Sequence, residues 1–182
     1  LFSCVDRDHG ANTGAVLRLS QPVKGDINMT DRELIWASLE VAAERCDDLV
    51  PLVYARLFVA CPRVAAIFAV DAGEKPNPAM GSMVNELIAL ITDGIDTGLL
   101  DSIIMSTLIN HVGWEIDFSL YRALLDALID SVRASCGEQW SESAAAAWQR
   151  RCALIMDSLR DNQVTIDGQR DAVTSVAVSS GY

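Results

Sequence analysis

The chain has 182 residues, within the roughly 100–200 of a single domain and enough to enclose a core that hides a cofactor. Lys and Arg number 14 against 25 Asp and Glu, and the net charge of −11 comes with no basic cluster, which argues against nucleic acid as a partner. The apolar share is 51%, yet charged residues break every apolar run before the ~20 residues a bilayer span needs, so no membrane partner is expected.

Residues 1–28 are Gly-rich and polar, without a sustained period or a signal-peptide pattern, and read as a disordered lead-in. The chain begins with Leu, and the helix start that follows Met29 makes Met29 a candidate natural start. Thr30 and Glu33 are spaced as a capping box, and Ile35, Leu39, Ala42, Ala43 and Cys46 share one face, which predicts a helix over 31–46. A second helix starts near Asp48, sets Tyr54, Leu57, Phe58 and Cys61 on an inward face, and stops at Pro62, which cannot continue the hydrogen-bond ladder. Val64–Phe68 is short and apolar, and Asp71–Pro78 reads as a loop by its Gly and prolines.

Met80, Met83, Val84, Leu87 and Ile91 then form one helical stripe, and Ile104, Thr107, Leu108 and His111 the next, with Gly113 helping to end that helix. From Asp117, Tyr121, Leu124, Leu125, Leu128 and Val132 carry a further helix closed by Gly137. Ala144, Trp148, Cys152, Ile155 and Leu159 carry the last. Residues 163–182 are Ser-, Val- and Gly-rich and read as a flexible tail, in which Val173–Val178 has strand composition but no partner. The reading is an all-α domain of about six helices over 29–162, with no strand.

Five cysteines, an odd number without CxxC pairs, suit neither a disulfide framework nor covalent haem attachment, and point to a reducing, cytoplasmic setting. His111 is the one histidine in the helical part. There is no GxSxG elbow to pair with it and no grouped His and Cys set for zinc. Haem asks less: one axial imidazole, an apolar slot and control of the opposite face. By the helix pattern alone, the plainer reading of His111 is a histidine at a helix C-terminus, where an imidazolium meets the negative end of the dipole.

Two segments shift that balance. DLVPLVYARLFVACPRVAAIF resembles the second and third helices of bacterial globins related to flavohaemoglobins and their single-domain relatives, and NHVGWEIDFSLYRALLDAL resembles their proximal corner and the helix after it. In that family a Tyr, a Phe at an inter-helix corner, the proximal His and a second Tyr recur in order, matched here by Tyr54, Phe68, His111 and Tyr121 at the family's spacings, and Trp148 falls where the last helix carries a Trp. The resemblance covers about residues 31–162 and is loose in the helix between the two segments.

The resemblance implies a globin fold around a non-covalent haem b whose iron is held by His111. Tyr54, Phe68, Ala79 and Met83 would shape the distal side, with Thr107, Leu108, Trp114, Ile116 and Tyr121 completing the pocket. Tyr54 would donate a hydrogen bond to the gas ligand. The implied function is reversible binding of dioxygen or nitric oxide, or the oxygenase half of nitric oxide detoxification served by an external reductase, because the sequence holds no GxGxxG loop of its own. The sequence departs from the family at two places. The distal Gln or His position falls on Ala79, or on Met80 with a one-residue shift, and the Glu that holds the proximal His in catalytic members is replaced by Asn162 or Gln163. The rival reading is a globin-fold sensor that acts through a partner.

Overall fold

The helix start predicted at Thr30 forms as a reciprocal cap: the Thr30 hydroxyl accepts from the Glu33 N–H at 3.3 Å, and the Glu33 carboxylate accepts from the Thr30 N–H at 2.7 Å. From there the computed structural model describes residues 29–67, 78–96, 98–111, 116 and 118–179, without the side chains of 66, 67, 78–80 and 169–179. The elements are α1 (Asp31–Ala43), α2 (Val50–Ala60), α3 (Pro62–Ile67), α4 (Pro78–Ala89), a π turn over Leu90–Gly94, α5 (Leu100–Asn110), α6 (Phe118–Cys136), a 3-10 turn over Gly137–Gln139, and α7 (Glu142–Ser179). Among the described residues there is no strand, so the chain is all-α as its periodicity indicates.

Two long helices organise the rest. α7 packs along α5 and α1, while α6 packs against α2 and α1, and α4 reaches the assembly through α2. Their shared interior is apolar: Ile35, Val53, Tyr54, Val84, Ile91, Leu128, Val132 and Trp148 are almost wholly removed from water. The stripes read from the sequence supply all of these residues except Val53, as a helix that must bury one face requires.

The few polar groups inside are satisfied. Ser38 lies where α1, α6 and α7 meet. Its hydroxyl donates to the Ile35 carbonyl at 2.7 Å and accepts from the Trp148 indole at 2.9 Å, while the Cys136 thiol donates to the Ser38 carbonyl at 3.2 Å. Arg151, only 6% exposed, donates from α7 to the Ile91 and Thr92 carbonyls at 2.9 and 3.2 Å and to Asp96 at 2.8 Å. A buried guanidinium is tolerated only with such partners, and here they are two carbonyls of the π turn and the Asp96 carboxylate. Gly94 completes that turn: a Cβ there would come within 2.6 Å of the buried Leu90 side chain.

Two sequence expectations change. α1 ends at Ala43 and not at 46, since the Arg45 and Cys46 N–H groups both turn back to the Ala42 carbonyl. α2 ends at Ala60, just before Pro62 as expected, and Pro62 then opens α3 at a position where its missing N–H costs nothing. The stretch from 163 read as a tail, with strand-like Val173–Val178, continues as helix through Ser179. Its Ser- and Val-rich composition suggested otherwise, but no proline interrupts it, the Gln163 amide donates to Asp167 at 3.0 Å one turn on, and Ile166 packs against the core. The lead-in over 1–28 lies outside the described residues.

Replacing Ser38 by Ala leaves the buried Trp148 N–H without its acceptor, and we expect this to cost about 1–3 kcal/mol in chemical denaturation. An unchanged midpoint would show that the indole N–H finds another acceptor or water.

Candidate functional site

α5 begins after Gly98, whose φ of +70° suits a residue without a Cβ, and it is held at its start by the Ser158 hydroxyl of α7 donating to Asp101 at 2.6 Å. Ile104 and Leu108 face the core, and the helix ends on His111, whose backbone N–H bonds to the Thr107 and Leu108 carbonyls at 3.1 Å each. The imidazole Nδ1 lies 2.7 Å from the Thr107 carbonyl oxygen. A carbonyl only accepts, so Nδ1 carries a proton and donates; in the neutral ring this leaves the lone pair on Nε2. The half-buried ring meets the Tyr121 ring of α6 edge-on, centroids 6.1 Å apart and planes at 88°.

Tyr54 occupies the inner face of α2, 2% exposed, with its ring 5.7 Å from that of Phe58. Its hydroxyl reaches across to α4 and donates to the Met83 sulfur at 3.7 Å. A thioether is a weak acceptor. Burial pushes the Tyr54 phenol up to about 12 and raises that of Tyr121 as well, because a phenolate in an apolar interior loses its hydration. Both hydroxyls therefore stay protonated donors near neutral pH.

The described contacts thus gather the residues expected at one site into two sets, Tyr54 with Met83 and Thr107 with His111 and Tyr121. Leu108 is buried behind the imidazole's helix, and Ile116 is half-buried between α5 and α6. Ala79 lies in the first turn of α4, its side chain outside the described residues together with that of Met80, and Phe68 and Trp114 fall outside them altogether. The last helix contributes no acceptor to the imidazole from Asn162 or Gln163. Asn162 donates to the Ser158 carbonyl and hydroxyl at 2.9 and 3.3 Å, and Gln163 donates to Asp167.

Sequence reasoning identified His111 and Tyr54 but missed the partner that orients each. The Thr107 carbonyl was foreseeable, being four residues back from a histidine at a helix end; the Met83 sulfur was not. Also unforeseen was the π turn that follows α4, where the Thr92 hydroxyl donates to the Ile88 carbonyl at 2.9 Å. Such turns gather at functional sites. Among the described residues no three of His, Cys, Asp and Glu converge as a metal cluster, and no helix is long and apolar enough to cross a membrane. Set against known proteins, the chain matches no family model and no curated protein.

The Tyr54 environment has a consequence at alkaline pH. An unfolded phenol titrates near 10.0, the folded one at about 12, so the stability due to its neutral burial is complete below pH 10 and is lost as pH rises toward 12. Between those values the stability of the wild type should fall more steeply than that of Tyr54→Phe, measured by denaturant midpoints at fixed pH. Parallel slopes would mean that the phenol is open to water.

Proposed function

We propose that this chain is a globin that holds haem b through His111 and binds dioxygen or nitric oxide reversibly at the face toward Tyr54. The observation that carries the reading is the commitment of Nδ1 to the Thr107 carbonyl at 2.7 Å. An imidazole that ligates a metal through one nitrogen has its other nitrogen held by a carbonyl or carboxylate, which fixes the ring. A histidine that caps its helix can make the same bond to the carbonyl four residues back; what adds to it here is the edge-on Tyr121 ring, which holds the imidazole from the α6 side.

The helix order also supports the reading. A short α3 follows α2, α4 crosses α2, and α5 ends on the histidine while lying along α7; this is the order and pairing expected of a globin, in which helices pack pairwise around the prosthetic group. When bound, haem supplies the iron at which a diatomic gas is held. The protein's own part is to hold the imidazole in one tautomer, to line the space with apolar side chains, and to offer the Tyr54 proton. The Tyr54 hydroxyl meets the Met83 sulfur at 3.7 Å, and a partly negative ligand is a better acceptor than a thioether.

The neutral carbonyl behind His111 favours reversible binding over oxidative turnover. A carboxylate there would add an anionic push to the imidazole; the Thr107 carbonyl adds less. Oxidation of nitric oxide with electrons from an external reductase therefore stands second to carriage.

Titration of the purified chain with haemin should give one tight site and a single sharp Soret band, and His111→Ala should abolish it. In the loaded protein, Tyr54→Phe keeps the ring and removes only the hydroxyl. A charge-assisted hydrogen bond of about 1.5–3 kcal/mol corresponds to dioxygen leaving one to two decades faster, with carbon monoxide, a poorer acceptor, affected far less. Equal dioxygen off-rates in the two proteins would contradict the donor role of Tyr54.

A further inference from the structure

A second feature lies apart from these residues. Between α2, the end of α6 and the turn that follows it opens a cleft of about 590 Å³ lined by Arg56, Asp130, Arg133, Ala134, Gly137 and Trp140. Its volume falls within the roughly 300–1,000 Å³ of small-molecule sites. In a chain of net charge −11, its wall carries two guanidiniums to one carboxylate, together with a half-buried indole.

The two arginines have no carboxylate partner among the described residues. The ion pairs there join Arg32 to Asp93, Arg122 to Asp126, Arg150 to Asp31, Arg151 to Asp96 and Arg160 to Asp157. Arg56 makes only two long contacts, 3.3 Å each, to the Leu52 carbonyl and the Ser131 hydroxyl. Arg133 sits in the last turn of α6, where a cation meets the negative end of the helix. Arg45 already fills that role, donating to the Cys136 carbonyl at 2.6 Å, while the exposed Arg133 lines the cleft. Gly137, at φ +56°, puts bare peptide in the cleft wall, where a Cβ would stand 3.4 Å from the Arg45 guanidinium.

We propose that this cleft binds a mononucleotide: Arg56 and Arg133 take the phosphate, Trp140 stacks on the base, and Asp130 accepts from a hydroxyl or amino group. Guanidiniums match phosphate oxygens in geometry and charge, an indole offers a flat face to any base, and a lone carboxylate selects a ligand that also donates. A bare anion uses only the arginines and is repelled by Asp130. The site owes nothing to haem, and its test is independent of whether haem binds.

The experiment is isothermal titration of the full chain with adenosine 5′-monophosphate, inorganic phosphate and adenosine in parallel. The monophosphate should bind at one site per chain, and phosphate and adenosine should each bind at least about tenfold more weakly. Arg133→Gln and Trp140→Leu should each weaken the monophosphate by about tenfold or more, whereas Arg122→Gln, on the same helix and paired with Asp126, should leave it unchanged. Arg133 is exposed and makes no hydrogen bond among the described residues, so its variant is expected to keep the wild-type circular dichroism. The proposal is overturned by no saturation at millimolar monophosphate, by phosphate binding as tightly as the monophosphate, or by an Arg133→Gln variant that binds like the wild type.

Discussion

The His111 Nδ1–H is committed to the Thr107 carbonyl at 2.7 Å, and the orientation of everything around the imidazole follows from that bond. It sets a proton on Nδ1, keeps the ring in line with the end of α5, and in the neutral ring leaves the lone pair on Nε2. The Tyr121 ring meets the imidazole edge-on, with centroids 6.1 Å apart. None of this holds unless α5 itself is fixed, and α7 does that, through the buried Ile104 and Leu108 on one side and the Ser158–Asp101 bond at the helix start. The geometry around His111 is therefore a property of three helices.

The contact between α2 and α4 is built on different principles. Among the described residues no ion pair joins the two helices, and the Tyr54 hydroxyl meets the Met83 sulfur across them at 3.7 Å. The far end of α4, by contrast, is anchored: the π turn places the Ile91 and Thr92 carbonyls where the buried Arg151 binds them, and Arg32 pairs with Asp93 at 2.6 Å on the outside. The exposed Arg32 pair contributes little by itself, whereas losing Arg151 would leave carbonyls unpaired in the core. The arrangement fixes α4 at its C-terminal end through the π turn.

Much of this was legible in the sequence for a simple physical reason: burial imposes a period, and the stripes carrying Tyr54, Val84, Ile91, Leu108, Leu128 and Trp148 all face the core. The capping box at Thr30 and the glycine after α6 were equally plain, because each rests on local chemistry. What escaped was non-local. Nothing in a period shows that Ser38 accepts from an indole 110 positions away or that Arg151 is buried on π-turn carbonyls, since an Arg on a helix reads as surface. The extension of α7 escaped because weak composition was overridden by packing at Ile166 and by side-chain bonds along the helix. Of the candidate site, residue identities could be read, but the acceptor behind His111 had to be seen in three dimensions.

The central claim is that the His111 imidazole is the axial group. Replacing it by glycine leaves a hole of imidazole shape without disturbing Thr107 or Tyr121, and free imidazole supplied in solution can fill it. The account predicts that His111→Gly fails to hold haem in a defined state and that millimolar imidazole restores a wild-type-like ferrous spectrum. A variant that holds haem with the wild-type spectrum in the absence of imidazole would contradict it.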